Sequence, residues 1–318
     1  MVSVLIGIAR LASEGQLLEA KRTVDYRTLP TRGVLNRCTS AKAPFSWTIN
    51  PYRGCEFGCK YCYARYTHEF MELRESADFE NLIFAKQFTL DMFRRDLARV
   101  KRGESIAIGT ATDPYQPAER RYGLTRRILR ALADTSDHKV FLTTKSDLVA
   151  RDVELLAEVH ARHWLHVGMT VTTLDNDLAR AMEPRAPRPE LRLEAVRTLA
   201  RAGIRTGVQC SPVMPHINEG EVEAVACAAA RAGAASFTAH GVFLMPCALR
   251  VFLPFLAERF PHLLKKYEQR FSRDAYLRGD YAERIAERVR TARRKAGLPD
   301  RTGFMTALPE APQLALPF

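Results

Sequence analysis

The sequence predicts an α/β fold: a partial (β/α)6 TIM-type barrel with a C-terminal helical extension. Three observations predict it. Short apolar, β-rich runs alternate with segments of helical period, the rhythm of βα units laid on a parallel sheet. These runs number six or seven, too few to close an eight-stranded barrel. The alternation then stops at Ala248, and only helical patterns follow.

Each element has its own signal. After an irregular, basic stretch to about Pro44, the candidate strands are Phe45 to Ile49, Leu82 to Ala85, Ile106 to Gly109, Val140 to Thr143, Leu165 to Thr170, Ile204 to Cys210 and Ala235 to Leu244. Between them, apolar residues recur at helical spacing over Leu90 to Lys101, Thr125 to Ala133, Arg151 to His160, Pro189 to Ala202 and Gly220 to Ala232. Thr89 or Asp91 suits the N-cap of the first helix, Gly103 follows its end, and Arg-Ala-Gly recurs at helix exits at Gly203 and Gly233. The expected organisation is an N-terminal extension over 1–44, a barrel over 45–247, and a basic helical extension over 248–318 that ends in a Pro-rich tail.

Composition narrows the function classes. Of 318 residues, 47% are hydrophobic, enough for a sizeable core and too many for a disordered chain. Arg10 and Arg231 interrupt the longest apolar runs before they reach the roughly 20 residues of a membrane span, and the opening lacks a secretory pattern. A soluble cytoplasmic protein without membrane attachment is expected. The net charge of +12 points to a polyanionic partner such as nucleic acid. Residues 258–301 hold thirteen Lys or Arg against seven Asp or Glu, with Tyr267, Phe271, Tyr276 and Tyr281 interleaved. That mixture suits either phosphates and stacked bases or amphipathic helices packed on the barrel.

Seven cysteines are too few to staple a chain of this length, and three of them, Cys55, Cys59 and Cys62, fall within eight residues. Thiolates at Cys-x-x-x-Cys-x-x-Cys spacing can surround a metal centre, with Gly54 and Gly58 letting the loop curl. Three ligands leave a fourth position open, either for a distant ligand or for a group that is not protein. A zinc site completed by His68 is the alternative, although zinc ribbons usually arrange their ligands in two pairs.

With Tyr61 just before the last of those cysteines, the segment Asn50 to Arg65 resembles the radical S-adenosylmethionine superfamily. The resemblance runs from about Phe45 to Asn218 and is closest to its spore photoproduct lyase-like branch, which includes proteins labelled DNA repair photolyases. It includes Thr-Ile-Asn-Pro-Tyr-Arg-Gly-Cys, Ala-Thr-Asp-Pro-Tyr-Gln-Pro-Ala-Glu, Thr-Thr-Lys-Ser, Thr173 to Asp175, and Glu-Pro-Arg-Ala-Pro-Arg-Pro. It implies a 4Fe-4S cluster on the three cysteines, with S-adenosylmethionine chelating the open iron. It also implies reductive cleavage to methionine and a 5'-deoxyadenosyl radical, and an electron donor such as flavodoxin or ferredoxin. The cofactor carries the hard chemistry, and the protein supplies placement and exclusion of water.

The same resemblance assigns cofactor contacts. Gly109, Thr112 and Asp113 stand where the superfamily's Gly-rich second motif meets the methionyl end, in the looser form Gly-Thr-Ala-Thr-Asp. Lys145 and Ser146 end a strand and face the cofactor's carboxylate and ribose, and Thr170 and Thr172, two apart, share one strand face. Glu183, Arg185 and Arg192 precede or enter a helix, where a guanidinium suits a carboxylate. Tyr61 and Tyr63 flank the cluster and shield it or meet adenine.

One departure is visible. Spore photoproduct lyase returns a hydrogen atom through a cysteine downstream of its cluster, and this chain has none between Cys62 and Cys210. Cys210 and Cys247 lie near predicted strand ends and are the remaining donor candidates; His216 and His240 lie nearby as candidate proton or anion sites. The resemblance therefore implies hydrogen abstraction from a nucleic acid, as in lesion reversal. The alternatives are the same chemistry on a peptide, protein or small molecule, and a metal-stabilised nucleic-acid-binding protein without turnover.

Overall fold

A computed structural model of the chain describes residues 5–20, 23–39 and 44–299. The strands are β1 (Leu17–Ala20), β2 (Asp25–Pro30), β3 (Leu35–Arg37), β4 (Trp47–Ile49), β5 (Tyr52–Arg53), β6 (Leu82–Gln87), β7 (Ser105–Ile108), β8 (Lys139–Thr144), β9 (Trp164–Thr170), β10 (Thr206–Val213) and β11 (Ser236–Gly241). One sheet runs β11-β10-β9-β8-β7-β4-β3, with β3 antiparallel at its edge and the other strands parallel. Six parallel strands joined by helices form the partial (β/α)6 barrel that the alternation predicts.

The predicted helices form with their caps. Leu90–Leu97 begins at Thr89, whose hydroxyl accepts from the Met92 amide at 3.1 Å. Leu124–Ala133, Val153–Arg162, Pro189–Arg201 and Val222–Arg231 cover the others. Asn176–Met182, absent from the periodicity, is capped by Asp175 on the amides of Asp177 and Leu178.

One expectation changes. The run at Leu82 is a strand, but β6 pairs with β2 and β5 in a separate sheet of order β1-β2-β6-β5, built largely from the stretch expected to be irregular. Its apolar pattern marks it as a strand without saying which sheet receives it. Of the two readings of the basic extension, the last helix, Asp280–Ala296, follows the amphipathic one: it packs on Val222–Arg231 and β11. Tyr281, Ile285, Val289 and Ala292 form the buried stripe that joins it to the barrel core. Tyr267 and Phe271 are buried too, so three of the four interleaved aromatics pack inward. The Pro-rich tail lies outside the described residues, among which no helix is long and apolar enough to cross a membrane.

Among the described residues, no carboxylate pairs with the lysine that the second sheet buries. Lys86 is 7% exposed and is pushed down to about 7 by burial and by neighbouring Arg53. Its folded-state value lies below its unfolded one, so stability relative to an apolar side chain is lost as pH falls from the ordinary lysine range toward 7. Lys86→Met is therefore expected to stabilise the fold by about 1–3 kcal/mol at neutral pH. The gain should develop as pH falls through that window and level off below it, read by thermal melting across pH.

Candidate cofactor site

The loop that carries the three cysteines follows β5 and is held from several sides. Gly54 takes a left-handed φ of 80°, and a Cβ there would lie 2.7 Å from the Leu82 carbonyl, so only glycine allows the turn. The Cys55 amide donates to the Phe79 carbonyl at 2.9 Å, and the Cys62 amide to the Cys59 carbonyl at 3.2 Å. Gln116, fully buried, donates to the Gly54 carbonyl at 3.1 Å and to the Thr112 hydroxyl at 2.8 Å, and accepts from the Glu56 amide at 3.0 Å. The Glu56 carboxylate accepts from the Ala118 amide and the Tyr26 hydroxyl, both at 2.8 Å. On the far side, buried Arg65 donates to the Cys59 carbonyl at 3.2 Å and pairs with Glu80 at 2.6 Å.

All three cysteines line one cavity of about 340 Å³ at the carboxyl ends of the barrel strands. Tyr61, Tyr63, Gly109, Thr112, Asp113, Lys145 and Thr170 line it with them. At Gly109, φ is 88° and a Cβ would meet the Thr143 carbonyl at 2.6 Å, so the backbone itself forms the wall there. Burial pushes all three thiols up, Cys59 to about 12, so in the free chain they hold their protons.

The donor set fits a cluster better than a single ion. Among the described residues, no three His, Cys, Asp or Glu side chains converge on one metal ion. A 4Fe-4S cluster does not need such convergence, because each cysteine takes a different iron. His68 does not complete a zinc site: it is excluded from the cavity lining, its Nε2 lies 3.0 Å from the Leu82 carbonyl, and burial pushes it down to about 4.

The other predicted residues divide into rim and support. The Asp113 carboxylate accepts from the Thr144 hydroxyl and the Lys145 amide at 2.7 Å, and from the Tyr115 amide at 2.9 Å. It fixes the end of β8 and thereby Lys145, whose Nζ lies 5.7 Å from the centre of the Tyr61 ring. Burial works against the Lys145 charge, but the neighbouring Glu183 and Asp113 carboxylates favour it and the ammonium stays protonated.

Ser146, Thr172, Glu183, Arg185 and Arg192 do not line the cavity. Ser146 caps the turn Asp147–Asp152 through the Leu148 amide. Arg192, 1% exposed, pairs with Glu183 at 2.5 Å and donates to the carbonyls of Pro187 and Thr170. Glu183 also accepts from the Tyr61 hydroxyl and, at 3.1 Å, from Thr172. Burial would raise the Glu183 carboxyl, but Arg192 and Lys145 hold it below the usual range, and it stays ionised. This buried pair stands behind Tyr61 and fixes the ring. Arg185 ties the cysteine loop to the β6 side, its amide donating to the Phe57 carbonyl and its guanidinium to the Glu80 carbonyl and the Asn81 side-chain oxygen.

Neither hydrogen-donor candidate reaches the cavity. Along β10, alternate side chains face opposite ways, so Gln209 and Ser211 line the cavity while Cys210 points outward, its thiol 3.6 Å from the Thr172 carbonyl. Cys247 lies behind Tyr63, with its thiol 3.7 Å from that residue's carbonyl. Substrate turnover is therefore expected to be unchanged in Cys210→Ala and Cys247→Ala, measured singly beside cofactor cleavage. His240 lines the cavity, whereas His216 lies in a separate groove beside Lys266. The sequence reading gave no roles to Gln116, Gln209 and Phe243. The signals available for them were the motif around Asp113 for Gln116 and strand alternation for Gln209.

Comparison with known proteins bears on the family and the fold. The chain is 34% identical to the uncharacterized protein Rv2578c of Mycobacterium tuberculosis over 270 residues, 84% of this chain and 79% of that one. It is 30% identical to the uncharacterized protein MJ0683 of Methanocaldococcus jannaschii over 171 residues, 54% of this chain and 61% of that one. Spore photoproduct lyase complexed with dinucleoside spore photoproduct shares the fold with a TM-score of 0.63 at 18% identity, over 85% of this chain and 79% of that chain. Streptococcus suis SuiB bound to precursor peptide SuiA does so with a TM-score of 0.52 at 15% identity, over 79% of this chain and 46% of that chain. The sequence pattern of the Radical SAM superfamily matches residues 49–227, from β4 through the cysteine loop to the helix before β11, and the chain belongs to that superfamily.

Proposed function

We propose that this chain holds a 4Fe-4S cluster on Cys55, Cys59 and Cys62, binds S-adenosylmethionine beside it, and abstracts a hydrogen atom from a nucleic-acid substrate. The observation that carries the reading is the single cavity onto which the three thiols, Lys145 and the Gly109 backbone face together. When bound and reduced by a donor such as flavodoxin or ferredoxin, the two cofactors supply a 5'-deoxyadenosyl radical. Lys145, held protonated, offers an ammonium to a carboxylate at the rim, and the Thr170 hydroxyl offers hydrogen bonds to a ribose. Tyr61, braced by Glu183, closes one wall and excludes water from the cluster side.

A second cavity of about 250 Å³ adjoins the first and shares Gly109, Thr143, Gln209 and His240 with it. It occupies the barrel lumen, where Phe141, His166 and Thr238 border a space that packed barrels fill with branched side chains. His166 is pushed down to about 3 by burial and is uncharged at neutral pH, while Arg293 brings a cation to the lining. A ring with hydrogen-bonding edges, such as a nucleobase, suits the Phe141 and His166 side of it. The net charge of +12 and the dinucleoside bound by the spore photoproduct lyase neighbour support the same substrate class.

The test is isotopic. Reduced holoenzyme incubated with deuterated nucleic acid is expected to yield labelled 5'-deoxyadenosine. Label arriving only from a deuterated peptide, or cofactor cleavage without label from any nucleic acid, would overturn the substrate assignment.

A further inference from the structure

We propose that the groove between the helix Pro261–Phe271 and the start of Asp280–Ala296 is a docking track for single-stranded nucleic acid, leading into the cavity over Tyr276 and Phe243. The proposal rests on the nucleic-acid reading above and adds a surface to it. Tyr276 is 51% exposed and lies nearly face to face with Phe243, ring centres 4.3 Å apart. Phe243 lines the cavity and lies 6.1 Å from the ring of Tyr63, itself exposed at the same mouth. Rings therefore continue from the cysteine side of the cavity to the outer surface. Exposed aromatic faces of this kind stack with bases regardless of sequence.

Beyond Tyr276 the surface turns cationic. A groove of about 520 Å³ is lined by Arg270, Arg278 and Arg284, and Arg270 also borders a second hollow of about 310 Å³ beside Lys266 and His216. Arg278 pairs with Asp274 at 2.5 Å, and Asp280 is the other acid in the groove. Arg270 and Arg284 instead lie over the Tyr281 ring at 5.0 and 5.1 Å, which leaves their guanidinium edges available to phosphate oxygens. The spatial order, cations outside and rings toward the cavity, matches a strand whose phosphates are held while its bases are passed inward.

The test uses reconstituted full-length protein and a fluorescein-labelled single-stranded oligonucleotide, in DNA and RNA forms, followed by anisotropy between about 50 and 200 mM salt. Tyr276→Ala is expected to weaken binding roughly five- to 150-fold, with Tyr276→Phe restoring it. The combined Lys266→Gln, Arg270→Gln, Arg284→Gln variant is expected to reduce the slope of log affinity against log salt by about two. Oligonucleotide binding unaltered in both variants would overturn the track while leaving the nucleic-acid reading in place. Absence of binding by either nucleic acid would overturn both. Binding of a poly-glutamate peptide in its place, lost with the same substitutions, would assign the groove to an acidic protein segment and overturn the proposal.

Discussion

Replacing any one of Cys55, Cys59 and Cys62 by alanine is expected to abolish 5'-deoxyadenosine formation and to lower bound iron, while Cys38→Ala and Cys227→Ala change neither. The reason is geometric. The loop is tied down by Gln116, Glu56 and Arg65, so it has little freedom to bring a substitute ligand forward. His68 is engaged with the Leu82 carbonyl. Cys210 faces the opposite side of its strand and Cys247 lies behind Tyr63. Two anchors then have to hold a group that requires three, and product chromatography with iron analysis reads the loss directly. Cofactor cleavage surviving in any one of the three variants would mean that the ligand set is wrong.

The second large effect belongs to a residue outside the cavity. Arg192→Met leaves the Glu183 carboxylate fully buried without its ion-pair partner, a change that costs about 3–5 kcal/mol. For a domain of this size the melting temperature should fall by on the order of 10 °C. Replacing both partners, in Glu183→Leu with Arg192→Met, is expected to destabilise less than Arg192→Met alone, because no buried charge is stranded. The loss should appear in protein free of cluster and cofactor. That separates support of Tyr61 from direct contact with a ligand, which would leave the free protein's melting unchanged.

The strands, their parallel order and the main helices were legible because periodicity reports burial on one face, and the cysteine spacing with its adjacent glycines marked the site. Three kinds of information were not legible. Which sheet receives β6 depends on partners distant in sequence, here β2 and β5, that no local pattern names. Which parity of β10 faces the lumen decides between Gln209 and Cys210, and both fit a strand equally well. The pairing of Glu183 with Arg192 depends on the turn between them, which brings the guanidinium against the carboxylate and also onto the Pro187 carbonyl. A basic residue read as a ligand for the cofactor's carboxylate thus meets a carboxylate of its own chain. The same holds for Tyr267, Phe271 and Tyr281: their spacing suits stacking and packing alike, and burial decides for packing, leaving Tyr276 at the surface.

The most direct test of the central claim is anaerobic reconstitution of the full chain with iron and sulfide, followed by reduction in the presence of S-adenosylmethionine. The arrangement of Cys55, Cys59, Cys62 and Lys145 around one cavity predicts about four irons and four sulfides per chain, with methionine and 5'-deoxyadenosine formed together. A chain that takes up zinc and no iron-sulfur cluster, or one that binds the cluster and yields no 5'-deoxyadenosine under reduction, would contradict it.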